Sequence, residues 1–129
     1  PSVTVFEWLD NLPAYRGKVA AFGSWDLFPS IFNTQRCAFP VDDGLAPITF
    51  GKAGPVIAHT NTLRQQITRR WSSASFDALV VPPAMEWIAL NQPRVVFLGT
   101  GATDEWAHEN KYELYLDAAH RVDAWLAQL

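Results

Sequence analysis

The chain of 129 residues contains one cysteine, one methionine and three histidines. A single thiol, Cys37, excludes an internal disulfide and a zinc site built from several cysteines. It is expected as a small buried hydrophobe, since free Cys is usually packed away. Basic charge is also scarce: ten Lys and Arg against thirteen Asp and Glu leave a formal charge of -3. That balance offers no electrostatic footprint for nucleic acid. No apolar run approaches the roughly 20 residues of a membrane span, and no cationic, apolar signal segment opens the chain. It opens at Pro1 without an initiator Met, as expected of a chain whose start has been removed or cut.

What is present is an ordinary globular composition, 49% hydrophobic and 18% charged, enough to fill a core. The length suits one domain or part of one. Six tryptophans are many for this size, and several should lie half-buried or at contacts.

Val3, Phe6, Leu9 and Leu12 carry helical spacing up to Pro13. Arg16-Gly17 then turns the chain into a short apolar run, Lys18 to Gly23, that reads as a buried strand. Pro29 to Gln35 suits a short helix with proline in its first turn. From about 38 to 60, Pro40, Gly44, Pro47, Gly51, Gly54 and Pro55 predict an irregular excursion. A helix is expected over Asn61 to Trp71, with Arg64, Arg69 and Arg70 on a solvated basic face. Ser75 can cap a helix from Phe76 that Pro82-Pro83 interrupts or restarts, continuing to Leu90. Arg94 to Leu98 is a second strand. Lys111 to Gln128 is a final helix, with Tyr112, Tyr115, Leu116, Ala119, Val122 and Leu126 as its apolar stripe.

Strand, helical crossover, strand, helix predicts an α/β fold: part of a three-layer architecture with a mostly parallel sheet flanked by helices. Parallel sheets bury both faces, and two strands alone cannot satisfy that. Residues 1–129 are therefore expected to form a single partial domain, prone to self-association through uncovered apolar edges.

The second strand leads through Gly99-Thr100-Gly101 to Asp104 and His108. Ligands of open α/β sheets bind outside the carboxyl ends of the strands. Carboxylate oxygen and imidazole nitrogen four residues apart there could both turn toward one zinc ion. The bland alternative is a surface loop whose Asp caps a helix. A dinucleotide fingerprint fails because Asp104 stands where the third glycine belongs. Glu105-x-x-His108 and Asp117-x-x-His120 match the spacing of di-iron bundles, yet too few residues separate them for a helix, a turn and a return. His120 reads as a satisfied helix histidine, paired with Asp117 or a neighbouring layer, and His59 as a surface residue.

Thr103-Asp104-Glu105-Trp106-Ala107-His108-Glu109, followed by Tyr112, the run Tyr115-Leu116-Asp117-Ala118-Ala119-His120-Arg121 and Asp123, resembles the alkaline phosphatase superfamily. The branch it is most similar to is the bacterial alkaline phosphatase family proteins related to type I phosphodiesterases and nucleotide pyrophosphatases. Tyr15 to Pro29 resembles the same proteins' strand and following turn. The resemblance covers about two thirds of the chain and is weakest from Ala38 to Ser73.

It implies a phosphohydrolase or phosphodiesterase acting on phosphate-ester small molecules through two metal ions, commonly zinc. Asp104 and His108 would bind one of them, with Glu105 steadying the loop. A periplasmic or secreted location would fit that family. The family's early metal-binding Asp, its Ser or Thr nucleophile segment, its later Asp-His pair and its final His have no counterpart here. The chain therefore looks like the central fragment of the enzyme, binding metal weakly and turning over nothing alone. The competing expectation is a non-enzymatic α/β binding domain that uses exposed tryptophans, Trp25 and Trp71, and the 38–60 loop.

Overall fold

A computed structural model describes residues 2–129. Its strands are β1 (Val19–Gly23), β2 (Val41–Asp42) and β3 (Val95–Gly99). They form one sheet in the order β2-β1-β3, with both pairings parallel. Every residue of the central β1 is buried, while the edge strand β3 is half-buried throughout.

Strand periodicity sends alternate β1 side chains to opposite faces. Ala20 and Phe22 join Ile57 of helix α3 (Pro55–Gln66) and Ala84 and Trp87 of helix α4 (Val81–Asn91). Val19 and Ala21 meet Phe32 and Phe39 on the other side, with Phe6 and Leu9 of helix α1 (Val5–Asn11) and Phe28 of helix α2 (Phe28–Ile31) packed around them. The sheet thus has helices on both faces, the expected α/β architecture. Helices α5 (Ala102–His108) and α6 (Tyr112–Leu126) follow β3.

Local chemistry explains the starts. The Thr4 hydroxyl accepts the Glu7 amide at 3.1 Å and caps α1. Pro55, Pro82 and Pro83 sit in first turns, where the missing N–H costs nothing. Pro82-Pro83 therefore opens α4, after a single 3-10 turn at Asp77–Leu79. The carboxylate of Glu86 caps α3 from outside, accepting the amides of Val56 and Ile57 at 3.1 and 2.7 Å.

Several expectations are corrected. The 38–60 stretch contains β2 and the first turns of α3, so it is not wholly irregular. The helix expected over Asn61 to Trp71 begins six residues earlier, at Pro55, and ends at Gln66. Arg64 is not part of a solvated face: its guanidinium is buried in a two-point ion pair with Asp42, at 2.7 and 2.8 Å. Cys37 is half-buried beside the second core cluster, and burial pushes its thiol pKa up. In α6 only Ala118 is buried, and Tyr112, Tyr115 and Leu126 of the expected stripe stay exposed. His59 is exposed, as expected, although it lies on α3.

Candidate functional site

The order β2-β1-β3 makes the chain leave β1 toward one side and return to the other for β3. Such a reversal opens a crevice beyond the strands' carboxyl ends. In this crevice the loops after β1 and β3 face each other, with the Ser24 amide donating to the Gly99 carbonyl at 3.2 Å. A side chain at Gly101 would put its Cβ 2.6 Å from Ser24 Oγ, so glycine permits this approach. The cleft between the loops measures about 400 Å3 and is lined by Ser24, Trp25, Phe28, Gly101, Asp104 and His108, among others. That volume lies within the roughly 300–1,000 Å3 range of small-molecule sites.

Residues 73–75 wall off one side. Trp25 bridges Ala74 in antiparallel fashion, the Asp26 amide donates to Ser73, and the Ser75 amide to Ser24, both at 2.9 Å. This clip carries Asp77 beneath the loop after β3.

Helix α5 has no side-chain cap of its own. Asp77 supplies one from a distance: its carboxylate accepts the Gly101 amide at 2.8 Å and the Ala102 amide at 3.2 Å. Burial pushes the Asp77 pKa up, opposed by those two amides and by neighbouring Ser24. Even so, Ser24 Oγ is buried without a hydrogen bond of good geometry. At the helix's other end Glu109 accepts from Arg70 and from the Trp71 indole, at 2.5 and 2.8 Å. The Arg70 hydrogen bond, then that of Trp71, holds the Glu109 pKa below its usual range. The Trp71 ring also packs edge-on against Trp106 of α5, 4.8 Å between centroids. The short helix is thus fastened at both ends by one irregular segment.

On its free face stand Asp104 and His108, one helical turn apart. Asp104 Oδ2 and His108 Nε2 approach to 3.4 Å, with side chains 74% and 75% exposed. Asp104 lies inside α5, so the reading in which it caps the helix is replaced by the cap from Asp77. Two ligands of a tetrahedral zinc, each about 2.0–2.1 Å from the metal, stand about 3.3 Å apart. One oxygen and one nitrogen at the observed separation fit half of such a site. Among the described residues no group of three or more His, Cys, Asp or Glu gathers to complete it.

The other candidates separate. Asp117 pairs with Arg121 at 2.7 Å rather than with His120, which is exposed. A di-iron bundle is excluded by the parallel sheet. Trp71 is buried, so it cannot serve as a surface contact for a partner; Trp25 is 40% exposed. Among the described residues no helix is long and apolar enough to cross a membrane. Sequence reasoning missed Asp77 and Glu109, whose importance depends on contacts far along the chain. Compared with known proteins, the chain matches no family model, no curated protein and no solved structure.

Proposed function

We propose that this chain is the central part of a metal-dependent phosphohydrolase or phosphodiesterase, with Asp104 and His108 as ligands to one zinc ion. The observation that carries the reading is the 3.4 Å pairing of Asp104 Oδ2 with His108 Nε2 at the carboxyl edge of a parallel sheet. The resemblance of Thr103 to Glu109 to the alkaline phosphatase superfamily supports the same assignment. Zinc, when bound, supplies Lewis acidity toward a phosphoryl oxygen and a nucleophile active at neutral pH. The chain's own contribution is to present both ligands on a helix fixed at each end by Asp77 and Glu109. Glu105, half-buried on the same helix and lining the cleft, is assigned to steadying that arrangement. The nucleophile and the second metal's ligands would come from chain outside residues 1–129.

Zinc titration by calorimetry, with the His108 ring signals followed as well in the wild type and Asp104→Ala, tests the reading. Weak but saturable binding is expected, abolished in both Asp104→Ala and His108→Ala. Equal zinc affinity in wild type and both variants would overturn it. Zinc-dependent hydrolysis of phosphate esters by the natural chain containing this segment is the second expected result.

The exposed face of Trp25 favours a second reading, a non-enzymatic binding domain. That reading requires partner binding that is indifferent to zinc and lost in Trp25→Ala. Self-association belongs to the first reading, because β3 is apolar from Val95 to Leu98 yet lies at an open sheet edge.

A further inference from the structure

The cleft beside Asp104 and His108 has two unlike walls. One is acidic, formed on α5 by Asp104 and Glu105 next to His108. The opposite wall is aromatic, formed by Trp25 and Phe28, whose rings stand perpendicular with centroids 6.0 Å apart. Phe28 is a fixed backing: it also packs against Phe97 at 5.1 Å and Phe32 at 6.1 Å in the core. Trp25 is the outer ring, 40% exposed. Its backbone is pinned to Ala74 by the antiparallel bridge, so the ring is not carried on a loose loop. Rigid aromatic surfaces of this kind bind flat apolar groups at little cost in conformational entropy.

Charge narrows the ligand further. No Lys or Arg lines the cleft, whereas two carboxylates do. A ligand with several negative charges would meet repulsion that only a metal on one wall offsets. A single phosphoryl group with a neutral organic substituent carries about -1.5 to -2 at neutral pH, less than pyrophosphate, and confines that charge to the wall that would hold the metal.

We infer that the cleft takes phosphate esters of aromatic or apolar alcohols, with the organic group on Trp25 and the phosphoryl group toward Asp104 and His108. Ligands with two or more phosphoryl groups, such as pyrophosphate, are disfavoured. The inference rests on the metal-dependent reading above for its phosphoryl end, and on the Trp25–Phe28 wall for its organic end.

The test is nuclear magnetic resonance on the chain with labelled tryptophan indoles and histidine rings, the Trp25 signal being assigned with Trp25→Phe. Phenol without metal probes the aromatic wall. Phenyl phosphate, glycerol 2-phosphate and pyrophosphate, each with zinc, probe the complete cleft. Phenol is expected to shift the Trp25 indole. With zinc present, phenyl phosphate is expected to move both Trp25 and His108 and to bind about tenfold more tightly than glycerol 2-phosphate. Trp25→Ala should erase that preference while zinc still shifts His108. Equal affinity for the two esters, or tighter binding of pyrophosphate, would overturn the inference. Absence of any zinc effect on His108 would overturn the metal reading instead. The phenol titration then judges the aromatic wall alone, and an unmoved Trp25 indole rejects it.

Discussion

Arg64 grips Asp42 through two parallel hydrogen bonds, and both side chains are almost completely buried, 1% and 3% exposed. The guanidinium also donates to the carbonyls of Leu79 and Ala46. One side chain thereby ties α3 to β2, to the excursion after it and to the turn before α4. Burial raises the Asp42 pKa, opposed by the Arg64 hydrogen bonds.

Removing one partner strands the other as a buried charge. Arg64→Ala or Asp42→Ala is expected to cost about 3–5 kcal/mol, measured by urea unfolding. Replacing both, as Arg64→Met with Asp42→Leu, should cost far less than the sum of the single changes. A double variant as unstable as that sum would disprove the coupling.

Asp77 provides a pH signature. Its folded pKa lies above the unfolded value near 3.8. Between those values the folded chain holds a proton that the unfolded chain has released, so stability falls as pH rises through the window. Asp77→Asn should flatten that part of the stability profile while keeping an acceptor for the Gly101 amide. Asp77→Ala leaves the part-buried Gly101 amide and the buried Ala102 amide unpaired and should cost about 1–3 kcal/mol, with faster hydrogen exchange confined to the start of α5. Uniformly faster exchange across β1 as well would refute the local role.

The contact between Gly101 and Ser24 can be tested by relief. Gly101→Ala places a methyl group against Ser24 Oγ and is expected to destabilise by about 1–3 kcal/mol. Ser24→Ala removes the opposing atom, so the double variant should recover most of the loss. Simple additivity in that cycle would mean the strain lies elsewhere.

Glu7 and Arg36 give the opposite pH dependence. The Arg36 hydrogen bond at 2.7 Å lowers the Glu7 pKa, so this contribution is present above the unfolded pKa of 4.5 and fades as pH falls below it. Arg36→Gln should remove that acid-side loss without altering the profile near neutrality. An unchanged acid limb would rule out the assignment.

The open edge at β3 predicts concentration-dependent mass in sedimentation equilibrium. A chain that remains monomeric over a wide dilution series would remove self-association from the functional reading.

Legibility in the sequence followed the range of the forces involved. β1 and β3 were readable because each is a continuous apolar run ending at glycine, and α6 because its spacing repeats over fifteen residues. β2 was not, being two residues long, with an acid, Asp42, that is buried only because Arg64 arrives from α3. The start of α3 was hidden because its cap, Glu86, lies about thirty residues further on. Asp104 and His108 were visible as a pair because helical spacing alone brings i and i+4 together. Asp77 was invisible as their support, since nothing near it in the chain points to Gly101.

The β1–β3 pairing also sets when the cleft can exist. Residues 19–23 must find residues 95–99, and everything between them has to be spanned before that contact yields any gain. The facing loops meet only after this distant closure. The Asp104–His108 pair on α5 can therefore acquire its aromatic opposite wall only after that closure, and a chain interrupted before β3 would expose Trp25 with nothing across from it.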